Sequence, residues 1–147
     1  MTLYKHILLA ADFFDHGGQG AEKAKRIAEQ NQAQLSLVHV VDNLPITDPA
    51  YGPMIPFDVD LTQELIEATK KRLAELGEKL GVPAERQWLE MGSPKLEIVR
   101  VAAENQVDLI VVGSHGRHGL ALLLGSTANG VLHHAQCDVL AVRLADD

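Results

Sequence analysis

Five short apolar runs punctuate the chain, and helix-spaced stretches fill the gaps between them. Residues 6–11 (His-Ile-Leu-Leu-Ala-Ala), 35–41, 87–91, 109–112 and 139–144 read as strands, the third of them weakest. The strongest runs are continuous rather than alternating, as expected of strands covered on both faces of a parallel sheet. Ala21, Ala24, Ile27 and Ala28 recur at helical spacing. Leu61, Leu65, Ala68, Leu73, Leu76 and Leu80 trace one face of a long helix, stopped by Gly81 and Pro83. Ser93 as N-cap and Pro94 at the first helical position open a third helix, with Leu96, Val99 and Ala103 as its buried face. Residues 128–134 form a fourth. Strand and helix alternate, so the expected class is α/β, a doubly wound parallel five-stranded sheet with helices on both faces. Residues 44–58 break the pattern. They hold four of the chain's six prolines and form a loop, which either folds over the strand C-termini or reaches a partner subunit, or else is a plain surface connection.

Composition narrows the class of partner. At 147 residues the chain fits one domain, 1–147, and 46% hydrophobic with 22% charged residues is ordinary for a globular protein. A formal net charge of -7 argues against nucleic acid and anionic membranes, which call for basic patches. No apolar span reaches transmembrane length, and the N-terminus runs into the first strand without a small-residue cleavage site. The single cysteine, Cys137, has no intrachain partner, so a cytoplasmic location is the expectation.

The candidate chemistry lies in the C-terminal third. The fourth strand flows into Gly113-Ser-His-Gly116-Arg-His-Gly119, and the chain returns at Gly125-Ser126-Thr127 to start a helix. Glycines let an anion approach the backbone, and a helix start supplies free amides with the positive end of the dipole. This is a phosphate-binding pattern. Asp12 ends the first strand on the same edge of the sheet, where ligands of open α/β sheets bind.

Other chemistries fit less well. No Gly-Lys pair exists for a P-loop, and Lys23 stands where the third glycine of a dinucleotide fingerprint belongs after Gly18-Gln19-Gly20. His115-Gly-Arg-His118 has the wrong order and place for a His-x-Gly-His nucleotidyl transferase. A phospho-receiver needs an aspartate after the third strand, where Met91-Gly92 stands. His115, His118, His133, His134 and Cys137 do not make a convergent metal set, so no protein metal site is expected. Cys137 reads as a packing residue and His39 as a satisfied core or interface histidine.

These residues resemble the universal stress proteins along nearly the whole chain. The resemblance rests on His6-Ile-Leu-Leu-Ala-Ala-Asp12, on Leu37-Val-His-Val-Val41, on Gly92-Ser-Pro94, on the glycine loop and on Cys137-Asp-Val-Leu-Ala-Val142. The loop Gly-Ser-His-Gly-Arg followed by Leu-Leu-Leu-Gly-Ser is its most specific part and resembles the ATP-binding branch. The resemblance implies strand order 3-2-1-4-5. It further implies that Asp12 faces adenosine, that Val40 meets adenine through its backbone, and that Val112 and Gly113 lie along ribose and first phosphate. Gly116, Gly125, Ser126 and Thr127 would hold the phosphates. Ala10, Ala11, His115 and Arg117 complete the cofactor-binding set. The implied cofactor is ATP, with ADP or AMP as alternatives and Mg²⁺ or Mn²⁺ carried on the phosphates. Eight residues separate Gly116 from Gly125, so the loop is one residue shorter than the family motif.

The expected function is a nucleotide-dependent stress-response module rather than an enzyme, with at most incidental ATP hydrolysis. A ligand-free homodimeric interaction protein of the same fold is the alternative. In either case Val139, Leu140, Ala141, Val142 and Leu144 form an apolar last strand, and the resemblance implies a homodimer joined through it.

Overall fold

Backbone pairing turns the five apolar runs into one sheet. The computed structural model describes residues 3–11, 18–42, 59–113 and 125–143. In chain order it contains β1 (His6–Ala10), α1 (Gln19–Asn31), β2 (Gln34–Asp42), α2 (Val59–Leu80), a 3₁₀ turn (Ala84–Arg86), β3 (Gln87–Gly92), α3 (Pro94–Glu104), β4 (Leu109–Gly113), α4 (Ser126–His134) and β5 (Asp138–Val142). The strand order is β3-β2-β1-β4-β5 and every neighbouring pair is parallel. This is the doubly wound α/β sheet with order 3-2-1-4-5.

Side-chain alternation sorts the apolar residues into two layers. Ile7, Leu9, Leu35, Leu37, Leu109 and Val111 pack with Ala24 and Ala28 of α1 and Leu73 and Leu80 of α2. Their neighbours in sequence, Leu8, Val38, Val40, Ile110 and Val112, pack with Ile98, Val101 and Ala102 of α3 and Ala128 and Val131 of α4. Each central strand is therefore apolar on both faces, which is why its run is continuous. Winding reverses between β1 and β4, and the crevice at that switch is where such sheets place ligands.

Several expected boundaries and faces shift. β1 ends at Ala10, β2 is one residue longer at each end, and β5 runs 138–142 rather than 139–144. The buried stripe of α3 is Ile98, Val101 and Ala102; Leu96 is 51% exposed, Val99 half-buried and Ala103 exposed. Apolar residues surround most of α3, so spacing alone leaves its rotation open. In α2, Leu65 is 55% exposed and Ala68 exposed, while Thr69 is buried. Its hydroxyl donates to the Leu65 carbonyl at 2.7 Å, which lets a polar residue occupy the inner face. Leu73, Leu76 and Leu80 pack inward as expected.

The edge of the sheet where the strands begin is closed by side chains. The Asp108 carboxylate accepts the Lys5 and His6 amides at 2.8 and 3.0 Å. Asn31 Oδ1 accepts the Leu3 and Tyr4 amides, and the Tyr4 hydroxyl donates to Asp138 at 2.9 Å. Ser36, fully buried, lies 2.6 Å from His6 Nε2, and His6 Nδ1 lies 3.0 Å from the Asn105 carbonyl.

Candidate functional site

The opposite edge is built differently. Parallel β4 and β5 require α4 to run back against the strands, which returns its N-terminus to the edge where β1 and β4 end. The helix starts at Ser126, two residues earlier than its apolar positions suggest, so Ser126 and Thr127 stand in its first turn. Gly125 is the N-cap, in ordinary extended backbone (φ -62, ψ 158) and without a side chain to cap the amides behind it. Its carbonyl accepts the Asn129 amide at 2.9 Å, so the helix begins properly while, among the described residues, no side chain caps its first amides. The first turn of α4 carries no acidic residue, whereas α1 has Glu22 and α3 has Glu97 there. Helix α4 is thus the one of these three whose positive end has not been met by a carboxylate of its own.

α3 shows the contrast. Ser93 is its N-cap residue as expected, with Pro94 following, yet the Ser93 hydroxyl makes no capping bond. Glu97 in its first turn is drawn into an ion-pair cluster. Arg100 lies 2.8 Å from Glu97, 3.0 Å from Glu104 and 3.1 Å from Glu90 on β3. Hydrogen bonds to Glu97, Glu104 and Glu90, in that order of weight, push the guanidinium pKa further up.

Facing α4 across the switch are the small residues at the end of β1. Ala10 closes the strand and Ala11 follows, its amide donating to the Val38 carbonyl at 2.7 Å. The Ala11 carbonyl is met by His39 Nδ1 at 2.9 Å. Val40 and Val112 are buried in the α3–α4 layer, and Gly113 ends β4 beside Val142. The structure therefore brings Ala10, Ala11, Val40, Val112, Gly113, Gly125, Ser126 and Thr127 to one edge of the sheet. Asp12, His115, Gly116 and Arg117 lie outside the described residues, as do the rest of the glycine loop and residues 44–58. Among the described residues, no three His, Cys, Asp or Glu side chains gather as a metal ion requires. Cys137 packs half-buried against the α3–α4 layer, and burial, then Asp138 and Asp108, raise its thiol pKa.

The profile of the Universal stress protein family matches residues 3–143. The chain belongs to the universal stress protein family. Among its universal stress protein relatives, universal stress protein A homolog 2 of Coxiella burnetii is 44% identical over 145 residues, covering 98% of both chains. Homolog 1 of the same organism is 44% identical over 141 residues, covering 95% of this chain and 96% of the other. The solved structure of hypothetical protein MJ0577 superposes with a TM-score of 0.80 at 27% identity, covering 99% of this chain and 100% of the other. A universal stress protein solved in complex with cAMP superposes with a TM-score of 0.60 at 25% identity, covering 95% and 96%. At this edge of the universal stress protein fold, sequence reasoning missed the hold of His39 on Ala11. A histidine inside the apolar run 35–41, three residues before Asp42, is its sign in the sequence.

Proposed function

We propose that this universal stress protein binds an adenine nucleotide, ATP foremost, across the C-terminal edge of its sheet and serves as a nucleotide-dependent module of the stress response. The single observation that carries this reading is the N-terminus of α4. Among the described residues, it offers backbone amides without a side-chain cap and two hydroxyls without a first-turn carboxylate, at the switch point opposite Ala10 and Ala11. That arrangement suits phosphate, because an anion there gains hydrogen bonds from amides and the field of the helix dipole together. Small residues at the ends of β1 and β4 suit the close passage of a nucleoside. The relative solved with cAMP supports adenine nucleotide as the ligand class.

In this reading Ser126 and Thr127 bind phosphate, Val112 and Gly113 flank the ribose side, and Ala10, Ala11 and Val40 border the adenosine. Mg²⁺ or Mn²⁺ enters with the phosphates, since such ions use few protein ligands. The reading is of a binding module rather than an enzyme, because no described side chain at this edge is a positioned general base. Its single cysteine fits a cytoplasmic setting. The dimer that accompanies the reading forms through β5, which is an edge of the sheet.

Isothermal titration of ATP, ADP and AMP, with and without Mg²⁺, tests the site. Ser126→Ala removes one charge-assisted hydrogen bond, so ATP affinity falls roughly ten- to a hundredfold. Unchanged affinity in that variant places phosphate elsewhere.

A further inference from the structure

The contact between His39 and Ala11 does more than satisfy a half-buried ring. A backbone carbonyl only accepts, so the Nδ1 that lies 2.9 Å from the Ala11 oxygen carries the proton. Ala11 is the residue at which the β1–β2 ladder gives out: the last register pair is Ala10 with Val38. Beyond that pair β2 holds Ala11 at both ends, its amide through the Val38 carbonyl and its carbonyl through the His39 ring. His39 is also covalently next to Val40. One side chain therefore ties the end of β1 to the stretch of β2 that the proposed function assigns to adenine.

We infer that His39 is a positioning residue for the adenosine end of the site, setting the separation between the Ala10–Ala11 backbone and the Val40 backbone. The inference rests on the nucleotide reading above. Without the imidazole, the peptide after Ala11 loses its fixed orientation, and the adenosine wall must be ordered again at each binding event. The phosphate end, built on α4 across the switch, does not depend on this contact.

The test separates the two ends with two probes, adenosine and inorganic tripolyphosphate, titrated into the wild type, His39→Leu and His39→Asn. An asparagine amide nitrogen sits close to where Nδ1 sits and can donate to the same carbonyl. His39→Leu is expected to weaken adenosine roughly tenfold and leave tripolyphosphate within about twofold, with His39→Asn recovering most of the adenosine affinity. Equal losses for both probes, or no loss for either, overturn the positioning role. Should His39→Leu fail to fold, ¹⁵N-imidazole NMR of the wild type decides. The His39 signals are expected to show a protonated Nδ1 and to move with adenosine but not with tripolyphosphate; signals indifferent to adenosine overturn the inference. A wild type that binds neither probe instead removes the nucleotide reading itself.

Discussion

At the scale of single residues, polar side chains hold the backbone at both edges of the sheet. Where the strands begin, Asp108, Asn31, Tyr4 and Asp138 hold backbone amides or each other. The Asp138 carboxylate that accepts the Tyr4 hydroxyl raises the phenol pKa above its ordinary 10.0, helped by burial and by the charges of Asp138 and Asp108. Because the folded value is the higher one, this contact stabilises fully below the ordinary phenol range and is lost as pH climbs through the raised value. Tyr4→Phe should therefore flatten the alkaline decline in stability, seen by urea unfolding between about pH 8 and pH 11. An unchanged alkaline slope would show that the hydroxyl contact contributes nothing. None of these pairings was legible in the sequence, since Tyr4 and Asp138 are joined only by folding. His39 shows the same limit. Its residue type and strand were readable, while its carbonyl partner needed the register of β1 against β2.

At the scale of elements, the packing of α3 on α4 decides where the N-terminus of α4 stands. Gly130 of α4 meets the stem of Lys95 on α3, and a Cβ built at Gly130 would lie 2.7 Å from Lys95 Cβ and 2.5 Å from Cδ. The Lys95 Cβ is fixed to the α3 backbone and cannot swing aside. Gly130→Ala gains helix propensity worth about 1 kcal/mol, yet overpacking of about 1–3 kcal/mol opposes it. The expected outcome is a net loss of about 1 kcal/mol in urea unfolding, together with weaker ATP binding as α4 is displaced. A stabilised variant would mean that the two helices have room to part. Among the described residues, sequence pattern recovered the five strands and four α-helices because each alternated cleanly with a turn, and it missed the 3₁₀ turn at Ala84–Arg86. It missed the rotation of α3, whose Leu96, Ile98, Val99, Val101, Ala102 and Ala103 cover too much of the helix to favour one stripe. It also set the start of α4 late, because Ser126 and Thr127 are polar and their helical state follows from Gly125 as N-cap.

At the scale of the whole molecule, the doubly wound topology puts a winding switch between β1 and β4 and leaves β5 at an outer edge. β5 is an outer strand whose Val139, Leu140 and Ala141 are only half-buried. Covering them with a second copy offers the closed, two-fold solution. Light scattering at micromolar concentration should give twice the chain mass, and Ala141→Pro should abolish that species; a monomeric wild type contradicts it. The nucleotide reading makes a sharper demand. Gly125 has a backbone conformation open to any residue, so Gly125→Val keeps the φ of the N-cap and places branched carbons in front of the α4 amides. Calorimetric titration of ATP into the nucleotide-free wild type and Gly125→Val decides whether the α4 N-terminus holds phosphate. The wild type should show saturable one-site binding, and affinity should fall at least about a hundredfold in a variant that still folds. Equal ATP affinities in the two proteins, or no ATP binding by the wild type, would contradict the nucleotide reading.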